Sequence, residues 1–195
     1  MERTSIRLGS VEIASSIMNA SGARSAERGE IFELGAVHGG ALVFKSCNLA
    51  GLEAPENLKN RGVEHFAAIA GELGARGKKI IGSVVGASEE EFIAVARTLD
   101  RAGANIVELN LADDYVAKSL APFSSFERLK SLLGRIRAET RCVLAVKVPP
   151  RIPFEPRSIA DLFKSMMTSC GSAGTRIGRG GGADRVISTV LGVTR

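Results

Sequence analysis

Short apolar runs that alternate with helix-like segments constrain the fold of this chain most strongly. The runs typical of strands are Ser16–Gly22, Gly40–Lys45, Ile80–Val85, Asn105–Leu111 and Cys142–Val148. Their nearly continuous apolar character is expected when both faces of a strand are covered, as in a parallel sheet. The sequence therefore predicts the α/β class.

Helix-like segments separate these runs. They are Ala26–Leu34, Val63–Leu73, a segment that follows Ser88 and stops at Ala102-Gly103, Ser125–Glu139 and Ser158–Lys164. Ser88 has a carboxylate three residues on, which is typical of a helix N-terminus. Before the first run, Arg7–Ile13 alternates around Gly-Ser and predicts a short hairpin.

The regular pattern divides the chain into two parts. Residues 1–164 carry it, and residues 165–195 are rich in Gly, Ser and Arg with no sixth strand evident. Such composition is typical of disorder, and we hypothesise a foreign sequence there, such as a shifted reading frame. The GxGxxA match at 178–183 lies in this tail and lacks the strand and helix that a dinucleotide site needs.

Polar residues fall at the carboxyl ends of the predicted strands: Asn19, Ser21, Lys45, Ser46, Asn110 and Lys147. In a barrel such ends converge on one mouth, whereas an open sheet spreads them along a line. The sequence thus predicts a parallel (β/α) TIM-barrel type, incomplete, with about five βα units.

Composition excludes several classes of protein. The net charge is +5, but the basic residues are scattered, Trp is absent and there is one Tyr, so nucleic-acid binding has no stacking platform. No apolar run spans a bilayer and the start lacks a signal-peptide pattern, so we expect no membrane association and a cytoplasmic location. The three cysteines have no CxxC spacing, which favours neither a disulfide framework nor zinc.

Five ordered segments resemble a known family. Met18–Gly22, Phe44–Ser46, Ser83–Gly86, Glu108–Leu111 and Ala145–Pro150 are similar, in order and spacing, to segments of class 1 dihydroorotate dehydrogenases, over about Ile6–Phe163. The resemblance implies an FMN-dependent barrel that oxidises dihydroorotate to orotate in pyrimidine biosynthesis. The flavin domain of dihydropyrimidine dehydrogenase is a related possibility.

The resemblance also implies residue roles. The Ala20-Ser21-Gly22 turn would lay backbone against the flavin, and Lys45 and Ser46 would contact flavin and substrate. Asn110 would hold flavin or substrate, and Lys147 would lie near the flavin pyrimidine ring, where a positive charge stabilises the reduced form.

Three departures from the family pattern stand beside these roles. The family's Cys or Ser base is replaced in Ala112-Asp113-Asp114-Tyr115, so Asp113 is either a general base or an ordinary loop aspartate. The loop Cys47–Gly62 is shorter than the family's substrate-binding loop. The last strands, which usually bind the flavin phosphate, are absent, and a homo-oligomer would cover the exposed strand edges.

Alternatives follow from these departures: a divergent barrel with another substrate, a non-catalytic binding subunit, or a truncated inactive product. Individual residues also have simpler interpretations. We expect His38 and His65 to be packing or surface residues, and Cys47 to be an apolar filler rather than a redox centre. Glu89–Glu91 are explained by the helix dipole better than by a bound cation.

Overall fold

The computed structural model describes residues 5–37, 39–53, 59–113 and 125–147. In chain order these form β1 (Ile6–Leu8), β2 (Val11–Ile13), a short 3-10 helix (Ala23–Ser25), α1 (Arg28–Ala36), β3 (Leu42–Val43), α2 (Val63–Ala75), β4 (Ile80–Val84), α3 (Glu89–Arg101), β5 (Ile106–Asn110), α4 (Phe126–Glu139) and β6 (Val143–Lys147). The α/β class is confirmed. The predicted helix Ser158–Lys164 and the tail 165–195 lie outside the described residues.

Four parallel strands form one sheet in the order β3-β4-β5-β6, so neighbours in space are also neighbours in sequence. Helix α2 packs beside α3, and α3 beside α4. Their buried side chains, among them Phe66, Phe92 and Leu133, join one core with outward strand residues such as Leu109 and Val146. The helices therefore cover the same face of the sheet.

The opposite face of the sheet changes character along the strands. Near the amino ends, Leu8 and Ile13 of the predicted hairpin pack on Val43, Ile81 and Val143 in a second apolar cluster. Toward the carboxyl ends the side chains become polar. In β5, for example, Ile106 is followed two and four residues later by Glu108 and Asn110, which share its face. The hairpin thus closes one end of this face and leaves polar groups at the other.

The helix ends agree with the sequence prediction. Ser88 Oγ accepts a hydrogen bond from the Glu91 amide at 3.1 Å, and Ser125 Oγ accepts one from the Arg128 amide at 3.3 Å. Helix α3 ends at Arg101, and Gly103 with φ of 91° turns the chain toward β5. Within the described ranges, no helix combines the length and apolarity needed to cross a membrane.

The predicted first strand, Ser16–Gly22, is wrong: this segment is irregular and only touches the edge of β3. The Gly40 amide donates to the Ile17 carbonyl at 2.8 Å. The side chain of Asn19 then bonds both backbone groups of Val43, at 2.7 and 2.9 Å. A side-chain amide thus takes the bonds that a neighbouring strand would have made. The parallel sheet has four strands in the described residues, not five.

Candidate functional site

A cavity of about 300 Å³ opens at the carboxyl ends of the parallel strands. Its lining residues are Ser21, Gly22, Ala23, Lys45, Ser46, Leu52, Asn60, Val85, Asn110, Asp113 and Lys147. All the site residues predicted from the sequence belong to this lining except Ala20, which is exposed beside it. Asn19, which we had grouped with them, is not in the lining because its amide is bound to Val43.

The hydroxyl of Ser46 is the centre of the polar network. Its Oγ lies 3.2 Å from Ser21 Oγ and 2.9 Å from Ser83 Oγ, and it accepts a hydrogen bond from Asn110 Nδ2 at 2.8 Å. The Ser46 amide donates to Ser21 Oγ at 3.0 Å. Four separate stretches of the chain are thereby fixed relative to one another at the floor of the cavity.

Beneath this floor lies a carboxyl group, that of Glu108. Ser83, which is fully buried, donates to Glu108 Oε1 at 3.2 Å. Burial raises the pKa of Glu108 above its ordinary value, and the nearby charge of Lys147 and the Ser83 hydrogen bond oppose that rise. The carboxyl therefore holds a proton more readily than an exposed glutamate does.

Two lysines place positive charge at the cavity. Lys45 is buried, and its amide donates to the Ser25 carbonyl at 2.9 Å, which joins the end of β3 to the 3-10 helix. Lys147, at the end of β6, is half-buried and pairs in register with Asn110 on β5. Ammonium groups beside an amide and hydroxyls suit a ligand that carries carbonyl oxygens or negative charge.

One wall of the cavity is held by two glycines. Gly51 and Gly62 have φ of 87° and 79°, and a Cβ on either would lie within about 3 Å of the other's backbone nitrogen. Next to them, Leu52 and Asn60 exchange backbone hydrogen bonds of 2.9 and 3.0 Å. This glycine clamp brings both ends of the segment 53–59 together and sets Leu52 and Asn60 against the cavity.

The backbone at Gly22 is open to a ligand. Its φ of −176° is extended, so glycine is not needed there for conformation. A Cβ built at Gly22 would meet nothing closer than the Ala20 carbonyl at 4.0 Å. The described residues therefore leave space above this backbone, as a flat ring lying against it requires.

Asp113 lies in the loop directly after β5, half-buried in the cavity lining. Asp113 lines the site, so this position is compatible with a general base and with an ordinary loop aspartate.

Other residues considered from the sequence have structural roles. His65 Nε2 lies 3.1 Å from the Ala26 carbonyl and its ring packs edge-on against Phe66, while His38 lies outside the described residues. Cys47 is buried, and burial raises the pKa of its thiol far above the ordinary value, which opposes a redox role.

The acidic run at the start of α3 is bound by arginines and amides. Glu89 and Glu90 pair with Arg128 and Arg135 at 3.0 to 3.2 Å. Glu91 accepts from the amides of Ala87 and Leu49 at 2.7 and 3.1 Å. The described residues contain no cluster of His, Cys, Asp and Glu that could hold a metal.

Sequence reasoning assigned no role to Ser83, Glu108 or Asn60. Ser83 and Glu108 lie in segments that resemble the family. Glu108 stands two residues before Asn110, so the strand period places these two residues on one face. Ser83 pairs with Glu108 in register and shares that face. Asn60, buried with its Oδ1 accepting from the Gly62 amide at 3.0 Å, lies in the loop Cys47–Gly62, where no strand period assigns residues to a face.

Comparison with models of known protein families found no match. A search of the curated proteins found no match either.

Proposed function

We propose that this chain is a flavin-binding oxidoreductase resembling the dihydroorotate dehydrogenases, with FMN in the cavity described above and a dihydroorotate-like substrate. The observation that carries the proposal is the convergence of Ser21, Lys45, Asn110 and Lys147, from four separate segments, on one cavity. The strand-end pattern and the resemblance both point to these residues. We place the activity in the cytoplasm.

The barrel architecture is part of this proposal. A right-handed crossover between sequential parallel strands puts every helix on the same face, and a sheet that continues in this way curls toward closure. An unbroken strand order with helices on one face supports a (β/α) barrel over a doubly wound sheet, which has helices on both faces. A second copy of the chain would cover the remaining strand edges.

The described side chains fit the ring end of a flavin. The donors Lys45, Lys147 and Asn110 suit ring carbonyls and nitrogens, and the open backbone at Gly22 suits a flat ring. Bound FMN would supply the hydride-accepting chemistry. Lys147 contributes positive charge, Lys45 and Asn110 orient the ligands, and Asp113 removes a proton from the substrate if it is the base.

A second candidate is a divergent barrel that binds flavin and acts on another substrate or on none. Asp113 favours it, since this residue stands where the family carries a Cys or Ser base. Asp113→Asn separates the two. If Asp113 is the base, dihydroorotate-dependent dye reduction falls about 10²–10⁴-fold with flavin retained. Flavin-loaded protein with no such activity supports the divergent barrel.

The test of the proposal is the visible absorption spectrum of the full chain after incubation with FMN and removal of free flavin. Retained flavin is expected, and Lys147→Met should weaken binding at least tenfold, equivalent to about 1.4 kcal/mol. Lys79→Met is the matched control, because Lys79 is exposed at the amino end of β4, far from the cavity along the sheet. Folded protein that stays colourless contradicts flavin binding.

A further inference from the structure

Three hydroxyl groups connect the cavity to the carboxyl group of Glu108. Ser21 and Ser46 line the cavity, and Ser83 lies fully buried behind them. Successive oxygens along Ser21, Ser46, Ser83 and Glu108 are 3.2, 2.9 and 3.2 Å apart. Each link is within hydrogen-bonding distance, so the direction of one bond constrains the next.

When Glu108 is ionised, its carboxylate can only accept hydrogen bonds, and this fixes which group donates in each bond of the series. Ser83 has one proton and gives it to Glu108, so Ser83 accepts from Ser46. Ser46 then accepts from Asn110 and from Ser21, which fills both lone pairs of its oxygen. Ser21 donates its own proton to Ser46 and accepts a hydrogen bond from the Ser46 amide. One lone pair of the Ser21 oxygen is left for the cavity.

A proton carried on Oε1 of Glu108 allows every bond in the chain to reverse. Glu108 donates to Ser83, Ser83 donates to Ser46, and Ser46, still accepting from Asn110, donates to Ser21. Ser21 now accepts from both the amide and the hydroxyl of Ser46. The proton of Ser21 is then not used by Ser46, Ser83 or Glu108, and it is available to the cavity.

We propose that Glu108 is a proton-binding site whose occupancy decides whether Ser21 accepts or donates a hydrogen bond in the cavity. A ligand that presents a carbonyl, carboxylate or phosphate oxygen to Ser21 selects the donating state. Binding of such a ligand therefore takes up a proton from the solvent, and that proton stays on Glu108. That this ligand is FMN rests on the proposed function. The change of Ser21 between accepting and donating, which we call the hydroxyl switch, does not rest on it.

The surroundings of Glu108 support a proton site. Facing it are Ser83 from β4, and Ala145 and Lys147 from β6, while Asn110 follows it on β5 and Lys45 lines the cavity above. The apolar cluster that includes Ile106 and Val143 lies on the same face toward the hairpin. Burial raises the pKa of this carboxyl, and Lys147 partly opposes the shift.

The switch can be tested without any ligand by nuclear magnetic resonance. The ¹³C shift of the Glu108 carboxyl reports its protonation, and the amide shift of Ser46 reports the hydrogen bond to Ser21. Both should titrate with one midpoint in the wild type. In Ser83→Ala, Glu108 should still titrate while the Ser46 amide stays constant, because the chain is cut outside the cavity lining.

Two further variants keep the result interpretable. Glu108→Gln preserves a hydrogen-bonding side chain and should abolish both titrations, whereas Ser16→Ala, at an exposed hydroxyl, should change neither. A Ser46 amide that is flat in the wild type, or that titrates equally in Ser83→Ala, overturns the switch.

Proton uptake on ligand binding is measured by calorimetry with FMN in two buffers of different ionisation enthalpy. At the Glu108 midpoint, where the free protein already holds half of the proton, the wild type should take up at most about half a proton per FMN, and at higher pH the uptake should approach about one. Glu108→Gln should take up none. FMN binding without uptake overturns the linkage and leaves the proposed function standing. Absence of FMN binding with a titrating Ser46 amide contradicts the proposed function and leaves the switch standing.

Discussion

The side-chain amide of Asn19 satisfies both backbone groups of Val43, donating to its carbonyl at 2.7 Å and accepting from its amide at 2.9 Å. A strand at the edge of a parallel sheet normally leaves such groups to a neighbouring strand or to water. Here one side chain replaces that neighbour. The irregular segment around Asn19 is fastened to β3 at this point.

We expect Asn19→Ala to lower the free energy of unfolding by about 1–3 kcal/mol, because two partly buried backbone groups lose their partners. Urea denaturation with unchanged m-value measures this loss. Ser16→Ala, three residues earlier and exposed, is the control and should unfold as the wild type does. Equal stability of the two variants would show that water replaces the amide at no cost.

Gly40 and its neighbour Gly39 offer a steric comparison. A Cβ at Gly40 would lie 2.3 Å from the Ser15 carbonyl oxygen, whereas one at Gly39 would lie 3.5 Å from the Ile17 carbonyl oxygen. Gly40→Ala should therefore cost about 1–3 kcal/mol through a forced backbone shift, and Gly39→Ala less than about 0.5 kcal/mol. Thermal unfolding of both variants measures the difference, and similar melting temperatures would contradict the packing of this segment on β3.

Arg137 is buried at the end of α4 and donates to the carbonyls of Thr140 and Cys142, at 2.6 and 2.7 Å. These bonds shape the turn into β6. Arg137→Met should cost about 2–4 kcal/mol, since buried carbonyls lose charged donors. Arg141→Met, at an exposed arginine in the same turn, is the control and should change little. Urea denaturation compares the two, and equal losses would contradict a specific role for Arg137.

The buried thiols should be inert in the folded protein. Burial raises the pKa of Cys142 to about 12, with Asp100 adding to the rise, and burial also raises that of Cys47. Thiolate is the reactive form, so iodoacetamide at mildly alkaline pH should leave both unmodified until urea is added. Peptide mass spectrometry gives the answer for each cysteine. Modification of Cys47 in the folded state would revive its redox interpretation.

Glu108 should make stability depend on pH. Its folded-state pKa lies above the ordinary value of 4.5, so the folded state binds the proton more tightly than the unfolded state. The associated stability is present below the unfolded pKa and is lost as pH rises through the folded pKa. Glu108→Gln should remove this decline, while Glu33→Gln, at an exposed site, should retain it. Unfolding free energies measured from acidic to neutral pH test the difference.

The sequence predicted the helices and strands whose apolar pattern follows from burial. It failed where a side chain makes the hydrogen bonds that the backbone of a neighbouring strand would have made. Helices α2 and α4 and strands β4 to β6 begin and end within two residues of prediction, because caps and apolar runs mark them. The run Ser16–Gly22 is less apolar than these, with Ile17, Met18 and Ala20 among three polar residues. Asn19 satisfies Val43 there without a strand ladder, which no local pattern reveals.

The residues of the cavity also divide into those that the sequence predicted and those that it did not. Residues at strand ends, such as Lys45, Asn110 and Lys147, were expected together because parallel strands end at one edge. Asn60 reaches the cavity through the clamp at Gly51 and Gly62, a long-range contact between loop ends that spacing alone does not encode.

The glycine clamp also separates changes in the length of one loop from the geometry of the fold. Since Gly51 and Gly62 lie against each other, and Leu52 pairs with Asn60, chain inserted between Glu53 and Lys59 starts and finishes at fixed points. Lengthening such a loop costs little, about 0.6 kcal/mol for each doubling. The segment is therefore a natural graft point, where a new recognition loop can be installed over the cavity while the sheet below keeps its geometry.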